Sequence, residues 1–232
     1  MGLFDFGKKT EVTDGIKLRE KTFEAVLKTK SLAVTQARVA FVIDVSGSMQ
    51  DEFSNGTVQK TVERMMPLAL KFDDNGEMET FRFSGRCESC SNVGLGNIVD
   101  FVNKNIVPKA EWNGTEYCPV IAKIFDYYVE QNLSKIPTFV IFVTDGDNSD
   151  RSDTTKYMKE ISKYNIFFKF IGIGTAGMSY LEQLDTMSGR KIDNANFQRI
   201  KDINKTSDED LYKALLEEYD IWQNAAKQVG IL

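Results

Sequence analysis

The chain has 232 residues, 42% hydrophobic and 27% charged, with a formal net charge of -5 and no histidine. That length suits one large domain with a real core, and the acidic balance offers no attraction to nucleic acid or anionic lipid. Without histidine, Ser–His and Cys–His nucleophile pairs and imidazole metal sites are excluded, so a metal must be held by oxygen.

The first residues, Met1 to Lys9, are too short and interrupted for a secretion signal. Phe6 stands where an N-myristoylation motif needs Ser or Thr. The segment reads as a frayed terminus or, alternatively, as an apolar hook of Leu3, Phe4 and Phe6 for a partner or membrane surface. No apolar run approaches the ~20 residues of a membrane helix, and the cytoplasm is the expected compartment. A helix is predicted from Asp14, as its cap, to Ser31, with Ile16, Leu18, Phe23, Val26 and Leu27 on one face. The run Arg38 to Val45 is apolar on both faces, as in the centre of a parallel sheet. A helix follows from Thr57 to Phe72, with Pro67 expected to kink it.

Short strands are predicted at Glu79 to Phe83 and Glu88 to Val93, joined around Gly85, then a helix at Ile98 to Asn105 and another at Pro119 to Gln131. Thr138 to Thr144 repeats the pattern of an apolar run followed by Asp. A helix from Asp153 to Tyr164, a buried strand from Ile166 to Ile173 and a helix from Tyr180 to Met187 come next. An edge strand at Phe197 to Ile200 and an acid-led helix from Ser207 to Asn224 complete the chain. Strands alternating with helices predict a doubly wound, Rossmann-like α/β sandwich of three layers. Its central sheet is mostly parallel, with one antiparallel edge strand. Residues 1–34 are expected to pack as a segment and helix on a domain of residues 35–232.

Cys87 and Cys90 form a lone C-x-x-C among Gly85, Ser89, Ser91 and Asn92, a turn or hairpin setting. A thioredoxin-type motif would open a helix. With Cys118 the only other thiol, four zinc ligands cannot be assembled. All three are read as reduced thiols.

Chemistry gathers where the two strongest strands end, the usual ligand position of an open α/β sheet. Asp44-Val45-Ser46-Gly47-Ser48 follows one and Thr144-Asp145-Gly146-Asp147 the other, with Asn113-Gly114-Thr115 between them in sequence. The D-x-S-x-S spacing turns Asp44, Ser46 and Ser48 to one side of a tight loop. Hydroxyls of Ser46, Ser48 and Thr115 can bind a hard cation directly, with Asp44 and Asp145 accepting hydrogen bonds from coordinated waters. Such all-oxygen ligation suits Mg²⁺, or Mn²⁺ or Ca²⁺ in its place. An open position would take a carboxylate from outside.

These three loops, in this order, resemble the metal-ion-dependent adhesion site (MIDAS) of von Willebrand factor A (VWA) domains, over about Arg38 to Asn224. Asn55-Gly56-Thr57-Val58-Gln59, Phe72-Asp73-Asp74-Asn75-Gly76-Glu77 and Asn113-Gly114-Thr115-Glu116-Tyr117-Cys118-Pro119-Val120-Ile121 resemble the bacterial subfamily found with tellurium-resistance (TerF-like) proteins. The resemblance implies a metal-dependent protein-interaction module rather than an enzyme, in a bacterial or phage stress-response system. It implies Ser46, Ser48 and Thr115 as direct ligands, Asp44 and Asp145 acting through water, and a protein partner that supplies a carboxylate. The family's usual second glycine before the threonine is Asn113 here, a residue that tolerates positive φ better than most.

Other chemistries fit less of the chain. Gly172 to Gly177 matches G-x-G-x-x-G, with Asp193 about twenty residues on, but it falls late in the fold rather than in a first βα turn. An EF-hand from Asp145 fails at Asp150 and Lys156, where glycine and glutamate are needed. A haloacid-dehalogenase-like phosphatase would use Asp44 as nucleophile, but Ser46 cannot serve as its general acid, and Ser48 and Thr115 would go unexplained. The plain structural alternative is that these loops only cap helices and turn the chain. Asp51, Glu52, Glu116, Asp147, Asp150 and Asp153 lie close in sequence to the ligands, and as a rim they would repel an acidic partner.

Overall fold

The two apolar runs form adjacent parallel strands, Arg38–Asp44 (β1) and Thr138–Thr144 (β4), in register from Arg38 opposite Thr138 to Ile43 opposite Val143. The computed structural model describes residues 3–32 and 35–232, with side chains from residue 7. Between β1 and β4 in sequence come Gln50–Ser54 (α2), Thr57–Phe72 (α3), Glu79–Phe83 (β2), Cys87–Ser89 (β3) and Cys118–Phe125 (α4). After β4 come Arg151–Ile161 (α5), Ile166–Ile173 (β5), Ser179–Asp185 (α6), Ala195–Ile200 (β6), Asp208–Leu215 (α7) and Tyr219–Gln228 (α8). Among the described residues six strands make one sheet in the order β3-β2-β1-β4-β5-β6, parallel except for the β2–β3 pair.

Alternation along the strands feeds two cores. Val39, Phe41, Ile43, Phe139, Ile141 and Val143 face the side covered by the N-terminal helix Leu3–Leu27 (α1), α3, α7 and α8. Ala40, Val42, Val140 and Phe142 face the side covered by α4, α5 and α6. The central strands are therefore apolar on both faces because helices cover both faces.

Several boundaries differ from the sequence reading. α1 begins at Leu3, so the described residues from 3 on are helical rather than frayed and Asp14 sits inside the helix instead of capping it. The side chains of the proposed hook Leu3, Phe4 and Phe6 lie outside the described residues. α3 runs unbroken through Pro67. The helix expected at Ile98 is a wide π-helical turn, Val102–Ile106, because Asp100 takes a positive φ of 58° just before it. The last helix is two, α7 and α8, divided where Glu218 adopts a left-handed φ of 64°. That turn lets Tyr219 and Trp222 stack on each other and pack on Phe167 of β5.

Candidate metal centre

From β1 the chain builds outward to β2 and β3, then returns to β4 on the other side of β1. The crevice beyond the carboxyl ends of β1 and β4 is thus the point where strand order reverses, the usual ligand position in such sheets. Asp44 ends β1 and is fully buried. One of its oxygens accepts the Ser46 N–H at 2.7 Å and the other the Thr144 hydroxyl at 2.6 Å. The Ser46 and Ser48 hydroxyls lie 3.2 Å apart, and Ser48 donates to Asp145 at 2.9 Å. Asp44, Ser46, Ser48 and Asp145 therefore share one hydrogen-bonded chain, although 97 residues separate Ser48 from Asp145.

The Thr115 loop is held beside them through backbone bonds to neighbouring residues. The Gly47 N–H donates to the Asn113 carbonyl at 3.0 Å, and a Cβ on Gly47 would sit 3.3 Å from the Trp112 carbonyl oxygen. Glycine permits that close approach. The Thr115 carbonyl accepts the Ser149 N–H at 3.0 Å and hydroxyl at 3.2 Å, and the Glu116 N–H donates to the Ser84 carbonyl at 2.9 Å. The loop is so fastened to the ends of β1, β2 and β4. Its positive φ, 53°, falls on Trp112, so Asn113 is not asked for the conformation that the missing glycine would ease. Among the described residues no hydrogen bond engages the half-buried Thr115 hydroxyl, which leaves its oxygen free to ligate.

Burial pushes the Asp44 carboxyl up to about 6, against the opposing hydrogen bonds from Thr144 and Ser46. Burial also raises Asp145, helped by the nearby charge of Glu52. Among the described residues neither aspartate pairs with a basic side chain. Two desolvated carboxylates with hydroxyls between them and no counter-charge are a donor set that fits a hard cation. No three Cys, Asp or Glu side chains cluster among the described residues, so ligation here would rest on the hydroxyls.

The supposed acidic rim is partly internal. Asp147 accepts the Ser179 N–H at 3.1 Å, the Ser179 hydroxyl at 2.9 Å and the Tyr180 N–H at 2.9 Å, capping α6. It also pairs with Arg151 at 2.8 Å. Asp150 accepts the Tyr117 and Cys118 N–H groups at 3.0 and 2.6 Å, capping α4. Such carboxylates satisfy orphan helix donors and meet the positive end of the helix dipole. Asp153 pairs with Lys156 at 3.0 Å, while Asp51 is exposed and Glu52 half-buried. The sequence reading missed Thr144 and Tyr117, whose hydroxyl donates to the Gly146 carbonyl and approaches Thr144 at 3.4 Å. Thr144 was within reach, since it is the residue before Asp145 at the end of an apolar strand.

Two other motifs resolve as structural. Cys87 packs against the α4 side of the sheet and Cys90 against the α3 side, so the two free thiols straddle the sheet. A Cβ on Gly172 would lie 2.2 Å from Met178 Sδ, and Gly174 takes a φ of 81°. Those glycines serve packing and a turn, and Asp147 already holds the N-terminus of α6 where a phosphate would bind.

Among the described residues no helix is long and apolar enough to cross a membrane. A relative from Bacillus subtilis (strain 168), "Uncharacterized protein YcbR", is 34% identical over 220 residues, covering 94% of this chain and 90% of that protein. The fold matches a von Willebrand factor type A protein from Catenulispora acidiphila, with a TM-score of 0.55 and 13% identity, over 83% of this chain and 43% of that one. It also matches the SpRpn10 VWA domain, with a TM-score of 0.55 and 14% identity, over 82% and 98% of the two chains. A third similar structure is proximal thread matrix protein 1 from the mussel byssus with a zinc-occupied MIDAS motif, at a TM-score of 0.51 and 16% identity, covering 84% of this chain. The chain spans about half of that protein, 49% of its length. A family model described as the vWA found in the TerF C terminus matches residues 36–232. With its sheet order and crevice, the chain therefore belongs to the TerF-like von Willebrand factor A domains.

Proposed function

We propose that the crevice holds one divalent cation, Mg²⁺ under cellular conditions, and that the protein uses it to bind a carboxylate of a partner protein. The observation that carries this reading is the continuous chain Asp44–Ser46–Ser48–Asp145 at the switch point, with no basic counter-charge. Ser46, Ser48 and Thr115 would hold the ion directly, and Asp44 and Asp145 would fix waters and hydroxyls around it. Neutral hydroxyls leave a bound ion short of negative charge, so that it attracts an external carboxylate. The zinc in the mussel protein supports a metal in a crevice of this fold, and Mn²⁺ or Ca²⁺ would compete for the same oxygens.

The domains of this family are in general interaction modules, and Asp44 suits that role better than covalent catalysis. Both of its oxygens are engaged and it is fully buried, so no oxygen is presented as a nucleophile. The TerF-like membership supports a bacterial or phage stress-response setting of the tellurium-resistance type, in the cytoplasm. Calorimetry tests the ligand set: Thr115→Ala should abolish Mg²⁺ or Mn²⁺ binding with the circular dichroism unchanged, and undiminished binding would overturn the assignment. Pull-downs with and without chelator test the partner, whose capture should need the metal.

A further inference from the structure

A narrow cleft opens beside the metal-centre loops on the β2–β3 side. Val45, Arg82, Ser84, Arg86, Glu88, Lys109 and Glu111 line it, and it encloses little more room than a water, so a larger group would meet Arg86 and Lys109 at its mouth. The cleft is continuous with the centre. Val45 lies between Asp44 and Ser46, Ser84 accepts the Glu116 N–H beside Thr115, and Glu111 accepts the Asn113 side-chain amide at 3.1 Å. Arg82 is engaged internally, paired with Glu88 and 3.3 Å from Cys90 Sγ. Arg86 and Lys109 are different. Both are exposed, and among the described residues neither side chain makes an ion pair or hydrogen bond.

The opposite flank carries the other sign, with exposed Asp51 and half-buried Glu52 in the first turn of α2. With Arg82 paired to Glu88, Arg86 and Lys109 against Glu111 leave the β3 side net cationic by one charge, whereas the α2 side is anionic. Asp147 and Asp150 weigh less in this balance, because helix N-termini, and for Asp147 also Arg151, offset part of their charge. A partner bringing one carboxylate would use only the ion. A partner bringing two gains a charge-assisted contact at Arg86 and Lys109 and is steered away from Glu52.

We infer that the mouth of this cleft is a second anion subsite, and that the partner segment is acidic with two carboxylates, one for the ion and one for Arg86 and Lys109. The inference rests on the metal-dependent reading above and specifies its partner.

The test uses the full chain, Mg²⁺ and two fluorescent peptides of equal length, an oligoglutamate and a Gly/Ser peptide with a single glutamate. Anisotropy reads the peptide and calorimetry reads Mg²⁺. In excess Mg²⁺ the oligoglutamate should bind at least about tenfold more tightly than the single-glutamate peptide. Arg86→Gln with Lys109→Gln should erase that preference and leave Mg²⁺ binding unchanged. The charge-matched control Lys8→Gln with Lys17→Gln, at two exposed lysines on α1, should keep it. Equal binding of the two peptides, a preference that survives Arg86→Gln with Lys109→Gln, or an equal loss in the control would overturn the subsite. Failure of the wild-type chain to bind Mg²⁺ would sink the metal reading instead. An oligoglutamate preference that then persists in chelator and needs Arg86 and Lys109 would still support the cleft.

Discussion

The Thr144 hydroxyl donates to Asp44 across 2.6 Å, joining the ends of β4 and β1 where the strand order of the sheet reverses. Both residues are fully buried, so bulk solvent does not replace that bond. Thr144→Val keeps the shape and removes the donor. It should cost about 1–3 kcal/mol in urea unfolding, the usual penalty of a buried acceptor left unpaired, and should also weaken Mg²⁺ binding. A variant as stable as wild type would mean that Asp44 finds another donor.

Metal removal should be visible as stability. A cation that binds only the folded chain, at a hundred times its dissociation constant, adds about 2.7 kcal/mol. For a chain of this size that is roughly 5–10 °C in melting temperature. Calorimetric scans should therefore show a rise on adding Mg²⁺ that chelator reverses and that Ser48→Ala lacks. A melting temperature indifferent to Mg²⁺ would count against the centre.

Asp150 ties the loop after β4 to the first turn of α4, directly behind Thr115. Asp150→Ala strips two N–H groups of their acceptor and should cost about 0.5–2 kcal/mol in urea unfolding. Because that turn follows the threonine loop, Mg²⁺ affinity should fall as well, although Asp150 is not among the proposed ligands. Unaltered affinity would show that the loop is held adequately by Ser149 and Ser84 alone.

Lys169 lies on the same face of β5 as Phe167 and Ile171, fully buried, and donates to Asn196. Burial lowers its ammonium from 10.5 to about 8, against the nearby charges of Glu217, Glu218 and Asp185. The folded value is the lower one, so between these pH values the unfolded chain binds more protons and stability rises with pH. The penalty is fully present below pH 8 and is relieved toward pH 10.5. Lys169→Met has no such proton. Wild type should therefore gain roughly 2–3 kcal/mol on the variant between neutral pH and the upper end of that window. Urea unfolding of both proteins at matched pH cancels the other titrating groups, and a constant difference would contradict the burial argument.

The features legible in the sequence were those written locally. β1 and β4 announce themselves because a strand covered on both faces is a short unbroken apolar run. The candidate centre is legible because Asp44–Ser48 and Asp145 come directly at the ends of apolar strands, and Thr115 sits in one short glycine-bearing loop between them in sequence. What escaped depends on distant residues. Nothing near Asp150 signals that it caps a helix that begins 32 residues earlier, or near Asp147 that it caps one 32 residues later. Glu218 is a good helix former that takes a left-handed turn, and the turn accompanies the seating of Tyr219 and Trp222 on Phe167. Asp14 looked like a cap, but α1 extends past it.

That same α1 bears on where the molecule can be cut. Phe23 sits edge-on to Phe72 and to Tyr212, with ring centroids 5.7 and 5.3 Å away, and Lys71 bonds to Glu20 and Glu24. The family match begins only at residue 36. A fragment trimmed to that boundary would bare one side of two buried rings and strand a lysine without its acids, turning a core contact into a sticky surface. Similarity to relatives therefore marks where the shared domain starts, while the Phe23 contact marks how much of the chain must be kept for it to stay in solution.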